Sequence, residues 1–245
     1  MNRTALKRAI AQDDPDAVAT AIRNGADPNQ TDEMGRSPLH FATVQSGSPL
    51  IRTLIAAGAD LNAADRQGKT PLHTAAELGQ IRSIATLLAA GADITDRDAT
   101  GNTPLHLAFN PFSTARLAAV NALCAAGAPL GARNRDGDTP LHLAAGTALT
   151  AATQALCNAG ANPNARNAMG QTPLHIAARQ DPADAVRLIS VLLRAGADPE
   201  AEDATATLPM YIADQNGNQE AYIALAIASI DTDKLRTAPK PIWRD

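Results

Sequence analysis

Asp98-Ala99-Thr100-Gly101-Asn102-Thr103-Pro104-Leu105-His106-Leu107-Ala108 decides the reading of this chain, because its centre keeps returning. Thr-Pro-Leu-His recurs at Thr70-Pro71-Leu72-His73, Thr139-Pro140-Leu141-His142 and Thr172-Pro173-Leu174-His175. Ser37-Pro38-Leu39-His40 is a near copy and Leu208-Pro209-Met210-Tyr211 a degraded one. In chain order the prolines lie 33, 33, 36, 33 and 36 residues apart. A fixed period in the thirties marks a solenoid of identical helical units.

A second marker is locked to the first. Gly25, Gly58, Gly91, Gly127, Gly160 and Gly196 are each followed by Ala and each stand 13 residues before a Pro. The two longer repeats therefore gain their three residues between the Pro and the next Gly, at 110–115 and 180–185. Both insertions are expected between the two helices of a unit. Asp181-Pro182 there repeats the cap-plus-proline pattern of Asp14-Pro15 and Ser48-Pro49.

Each recurring residue has a local physical reason. Thr before Pro is an N-cap followed by a first-turn proline, whose missing N–H and preset φ suit that position. Three residues after the cap, the His can bond back toward the Thr hydroxyl or reach a neighbouring loop. The Gly that ends the second helix supplies a left-handed C-cap. Between Gly and the next Pro comes a turn with Asp or Asn at 32, 65, 98, 134, 167 and 203, and Gly three residues later at 35, 68, 101, 137 and 170. Asx side chains close such turns and Gly supplies positive φ.

The pattern Asp-x-x-Gly-x-Thr-Pro-Leu-His-x-Ala, followed by Gly-Ala-Asp, resembles the ankyrin repeat over roughly residues 3–230. The resemblance implies an all-α ankyrin-repeat solenoid of about seven stacked helix-turn-helix units with projecting turn or β-hairpin fingers. It implies that the fingers and first helices line a concave groove that binds another protein. Residues 1–233 are read as one array: an N-terminal cap at 3–30, repeats near 35–64, 68–97, 101–133, 137–166 and 170–202, and a C-terminal cap at 206–233. Ala42, Ala75, Ala108, Ala144, Ala177 and Ala213, four after each Pro, are small enough to let one first helix lie close to the next. Arg3, Lys7, Arg8, Asp13, Asp14 and Asp16 are expected to face water, and the last helix to stop at Asp231. The tail 234–245, with Pro239, Pro241 and Trp243, is expected either to dock on the last unit, where a terminal array face benefits from cover, or to serve as a short binding segment.

Composition narrows the function classes. A net charge of −4 and a pI near 5.7 argue against a nucleic-acid footprint, which needs a basic stripe, and aromatics at only 2% leave a thin core held by many small contacts. No apolar run approaches a membrane span, and early charges interrupt any leader pattern, so a cytoplasmic monomer is expected. The excess of Arg over Lys points to a GC-rich, bacterial source.

The chemistry-bearing residues read as structural. All five histidines sit in the motif, so Thr70, His73, Thr103, His106, Thr139, His142, Thr172 and His175 carry the fold. Equivalent His in stacked helices lie one helix-packing distance apart, about 8–10 Å, too far to share a metal. Cys124 and Cys157 both fall three before a helix-ending Gly, where Ile22, Ile55, Leu88 and Leu193 stand elsewhere, and are expected as buried free thiols. Gly68-Lys69-Thr70 resembles the end of a phosphate loop, but Ala63 stands where its first Gly is required. No catalytic, cofactor or metal residue is assigned.

Recognition is left to the variable positions. The candidates are Met34, Arg36, Val44, Arg66, Lys69, Leu78, Arg97, Asn102, Arg133, Arg135, Arg166, Met169 and Arg179, with Pro111 a further groove anchor. Arg97, Arg133 and Arg166 each directly precede the turn Asx, and with Arg66, Lys69 and Arg135 they form a basic band. The band either reads an acidic surface on a protein partner or pairs with Asp98, Asp136 and Asp138 as exposed ion pairs of ~0–1 kcal/mol. Three roles fit such a module: a scaffold, an inhibitor or immunity-type protein that occludes an enzyme, and a secreted effector that binds host proteins.

Overall fold

Thr70 is extended (φ −88°, ψ 168°) and Pro71 opens a helix directly after it, and the same step recurs at Thr103-Pro104 and Thr172-Pro173. Proline costs the first helical turn no hydrogen bond, so the position favours it. A computed structural model describes residues 2–44, 48–110 and 115–237. Among these residues every regular element is helical: fourteen helices in seven pairs, and no strand.

The chain divides into two compact units, Met1–Pro140 and Leu141–Asp245. The first holds α1 (Asn2–Ala11), α2 (Pro15–Arg23), α3 (Pro38–Val44), α4 (Ser48–Ala56), α5 (Pro71–Leu78), α6 (Ile81–Ala89), α7 (Pro104–Leu107) and α8 (Arg116–Ala125). First helices stack on first helices, α1 on α3, α3 on α5 and α5 on α7, while α2, α4, α6 and α8 form the parallel row. The second unit holds α9 (Pro140–Gly146) except its first residue, α10 (Thr150–Asn158), α11 (Pro173–Ala177), α12 (Pro182–Arg194), α13 (Pro209–Gln215) and α14 (Gln219–Thr237), with α11 on α13 and α10, α12 and α14 in sequence.

The core is read directly from the repeat. The motif leucines Leu39, Leu72, Leu105, Leu141 and Leu174 are fully buried, as are Leu54, Leu87, Leu123, Leu156 and Leu192, each four before a helix-ending Gly. Burial of each contributes about 1.5–3 kcal/mol. The six alanines four after each Pro are also fully buried. A larger side chain there would push neighbouring first helices apart.

Three expectations need correction. Cys124 and Cys157 are free but only half-buried, because the fully buried slot is the leucine one residue earlier. The last helix does not stop at Asp231: α14 runs to Thr237. Nothing from 231 to 237 breaks a helix, and the next constraint is Pro239, which disfavours helical backbone in the residue before it. The insertion at 180–185 is largely absorbed as helix, since α12 starts at Pro182 and has 13 residues against 9 in α6 and α10. The other insertion falls between α7 and α8; its residues 111–114, with the groove candidate Pro111, lie outside the described residues, as do the Arg3 side chain and residues 238–245 of the tail.

Candidate functional site

The fingers are built by their Asx residues. Asp65 Oδ1 accepts the main-chain N–H of Gln67 at 2.8 Å and of Lys69 at 2.9 Å. Asp32, Asp98, Asn134, Asn167 and Asp203 bond in the same way to residues two and four ahead. The tip amides are thereby turned inward. Around Asp203, desolvation would raise the carboxyl, but the Thr205 hydroxyl and the amides of Thr207 and Thr205 hold it well below the usual carboxylate range.

Each finger leans on its neighbour through one main-chain bond. Arg66 N–H donates to Met34 O at 2.9 Å, Ala99 to Gln67 at 2.8 Å and Arg135 to Thr100 at 2.8 Å; in the second unit Ala204 donates to Met169 at 3.0 Å. Gly68 shows why the turn needs glycine twice over. Its φ is +74°, and a Cβ there would lie 2.7 Å from the main-chain nitrogen of Ala99 in the next finger.

The motif histidines hold these fingers to the helices. His40, His73 and His106 each place Nε2 on the carbonyl of the next finger's last residue, Lys69, Asn102 and Asp138, at 2.9–3.1 Å. In the second unit His142 meets Gln171 O at 2.9 Å and His175 meets Thr207 O at 3.0 Å. A carbonyl only accepts, so Nε2 carries the proton and Nδ1 is the acceptor. Nδ1 takes the Thr70 main-chain N–H at 3.2 Å and its hydroxyl at 2.9 Å, with the same pair at Ser37, Thr103 and Thr172. The imidazole thus fills the place that Glu or Gln takes in a capping box. Burial lowers the affinity of His40, His73, His106 and His175 for a second proton, although the carbonyl bond opposes it.

The recognition candidates separate into engaged and available side chains. Arg36 is engaged: Nε and Nη2 clamp Asp32 Oδ2 at 3.0 and 2.8 Å, and its guanidinium lies 4.7 Å from the Phe41 ring centre. Lys69 Nζ pairs with Glu77 at 2.7 Å. Arg97 Nε donates to Gly101 O at 3.1 Å and Arg133 Nη1 to Gly137 O at 3.3 Å, so each straps its own finger. Arg135 Nη2 reaches back to Ala99 O at 2.7 Å, and Arg166 Nη2 reaches Glu202 O. Asn102 bonds Thr100 and Asn134, and Arg179 bonds Gln171 Oε1 at 3.1 Å. Arg97 and Arg135 do not take the Asp98 or Asp136 carboxylates; their partners are carbonyl oxygens, which leave the cationic charge uncompensated. Arg66 is exposed and its side chain has no partner among the described residues.

Apolar candidates are open to solvent: Met34 is 48% exposed, Val44 49%, Leu78 41% and Met169 58%. Of these, Val44 lines a cleft of about 560 Å³ between α1 and α3, walled also by Leu6, Ile10, Pro38 and Phe41 and rimmed by Lys7, Gln30 and the Arg36–Asp32 pair. Phe41 was not singled out by the sequence reading; its place three after Pro38, where Thr74 and Leu107 stand in other copies, was the available signal.

Asn29, Asn62 and Asn164 were also passed over. Asn29 bridges to the next unit, donating to Gly58 O at 3.0 Å and accepting Asp60 N–H at 2.8 Å, and Asn164 does the same with Gly196 and Asp198. Asn62 accepts Asp93 N–H. Their shared place four after a helix-ending Gly would have identified them.

Burial pushes both cysteine thiols up, which disfavours the nucleophilic thiolate. No group of three or more His, Cys, Asp or Glu side chains converges as a metal site among the described residues, and no described helix is long and apolar enough to cross a membrane.

Comparison with known proteins agrees with this geometry. The family model for ankyrin repeats in three copies matches residues 6–98 and again 113–203. Among solved structures, the chain is similar to the ankyrin repeat domain of Bcl-3, described as a unique member of the IkappaB protein family. The identity is 27%, the match covers 91% of this chain and 97% of that one, and the TM-score is 0.79. No curated protein matches the chain.

Proposed function

We propose that this chain, which belongs to the ankyrin-repeat family, is a non-catalytic module that binds a protein partner through its finger tips and the groove beside its first helices. The observation that carries the reading is the cleft between α1 and α3, an apolar hollow of about 560 Å³ with half-exposed Val44 on its wall. Hollows of that size lined by apolar side chains with a few polar groups at the rim are where ligands and partner side chains anchor.

The arginines give the partner's chemistry. Arg66, Arg97 and Arg135 present cationic charge that no carboxylate neutralises, which favours an acidic surface. A net charge of −4 over the chain favours a protein over nucleic acid as the bearer of that surface. The module is read as a cytoplasmic monomer. Whether the bound protein is an enzyme thereby occluded or a host protein follows from its identity.

The test is affinity capture with the wild-type chain and with Val44→Asp, followed by mass spectrometry. A protein retained by wild type and lost from a Val44→Asp chain of unchanged melting temperature supports the reading. Retention of every captured protein by both chains, or turnover of a substrate by the pure chain, contradicts it.

A further inference from the structure

Helix α14 carries an apolar stripe that the repeat does not explain. Ile223, Ile227 and Ile230 are 52%, 57% and 56% exposed, and their spacing of four and three puts them on one helical face. The buried side of the same helix is satisfied by Ala221 and Leu225, both fully enclosed. In earlier second helices the slot of Ile223 holds Arg52, Ala85, Asn121, Gln154 and Ser190, and the slot of Ile227 holds only Ala, Asn or Arg. That side of the helix pair is elsewhere built for water. The first helix pair shows the same rule, with Arg8, Gln12, Asp16, Thr20 and Asn24 exposed.

We propose that residues 238–245, Ala-Pro-Lys-Pro-Ile-Trp-Arg-Asp, fold back along α14 and cover this stripe with Ile242 and Trp243. Reach permits it. From Thr237 to Trp243 an extended chain spans at most about 20 Å. Ile230 and Ile227 lie about 10 and 15 Å back along the helix axis from Thr237. Pro239 and Pro241 keep the segment from continuing the helix and favour an extended path that can lie against it. Size selects the occupant: three isoleucines fall far short of the ~800 Å² per partner that a stable dimer covers, but suit two apolar side chains of a short segment. Trp is also suited to a half-wet groove, since it buries a large ring while its N–H stays at the edge.

Trp243 is the only tryptophan, so its fluorescence reports the contact directly in the full-length protein. The wild type is expected to emit to the blue of the guanidinium-unfolded chain and to be quenched by acrylamide several-fold more weakly, at micromolar and nanomolar protein alike. Ile227→Asp with Ile230→Asp is expected to restore the unfolded-like emission and quenching while far-ultraviolet circular dichroism stays unchanged. If that double variant loses helicity, Ile227→Ser alone carries the comparison. Emission of the wild type already like that of the unfolded chain overturns the proposal. So does a blue shift indifferent to the isoleucine variants, which would put the tryptophan elsewhere, or one lost on dilution, which would make a second copy the occupant.

Discussion

His73 and Asn102 are joined across one repeat: the imidazole Nε2–H donates to the Asn102 carbonyl at 3.0 Å while Nδ1 accepts from Thr70. One ring therefore caps its own helix and holds the next finger. Because both nitrogens are committed, the neutral Nε2–H tautomer is the only form that satisfies every partner. A second proton on Nδ1 would face the Thr70 N–H, donor against donor.

This predicts acid sensitivity. Burial depresses the folded-state pKa of His40, His73, His106 and His175 below 6.5, whereas the unfolded chain binds protons at about that value. Below pH ~6.5 the unfolded state then binds more protons, so stability is fully present above that pH and falls as pH drops toward the folded values. Thermal melts between pH 7.5 and 5 should show a falling Tm. The carboxylates held low, such as Asp98 and Asp203, give their own loss only under more acidic conditions. A flat Tm across that window would mean the rings are not held neutral.

His106→Ala should cost about 1–3 kcal/mol, because it leaves the buried Thr103 N–H without its partner and removes one of the two bonds at the Asp138 carbonyl, which keeps the Asn134 N–H. Thr103→Val should cost less, since the ring still receives the main-chain N–H. Denaturant titration of both variants ranks them. Neither change should weaken partner binding beyond the loss of folded protein.

The two classes of glycine should respond differently. Gly91 has φ +93° with nothing near a Cβ, so Gly91→Ala should cost about 1–2 kcal/mol for backbone strain alone. Gly68→Ala should cost more, because its Cβ would also drive back the Ala99 amide. Ala206 occupies the same turn slot in the last finger at φ 59°. Replacing it with glycine should stabilise the chain by about 1 kcal/mol, the strain relieved less the added freedom of the unfolded chain. Equal costs at Gly68 and Gly91 would show that the close approach between fingers does not matter.

Much of the fold was legible because the Pro-to-Gly frame places each helix pair, and the residue four before each frame Gly, leucine in five copies and Ala21 in the first, falls in the core. What was less legible depends on rotation or on contacts between repeats. Cys124 shares a helix with Leu123 but is turned about 100° from it, enough to leave it half-buried. The arginine band was expected to choose between a partner and Asp98, Asp136 and Asp138. Arg97 and Arg135 instead meet carbonyl oxygens, one of them in the preceding finger, which a single repeat cannot reveal. Arg36, a recognition candidate by its finger slot, is bonded to Asp32 and stacked over Phe41, contacts that its slot does not reveal.

The central claim is that finger charge serves recognition while the motif serves folding, and Arg66 separates the two most directly because its side chain is exposed and unengaged. The measurement is the association rate of the captured partner at two salt concentrations, for wild type, Arg66→Glu and Arg135→Glu, with a melting temperature for each. Arg66→Glu should slow association and flatten its salt dependence with Tm unchanged, since steering acts through long-range charge. Arg135→Glu should also lower Tm, because it removes a strap to Ala99. Unchanged rates and salt dependence in Arg66→Glu, with the partner still bound, would contradict the account and leave the arginines as braces of the fingers alone.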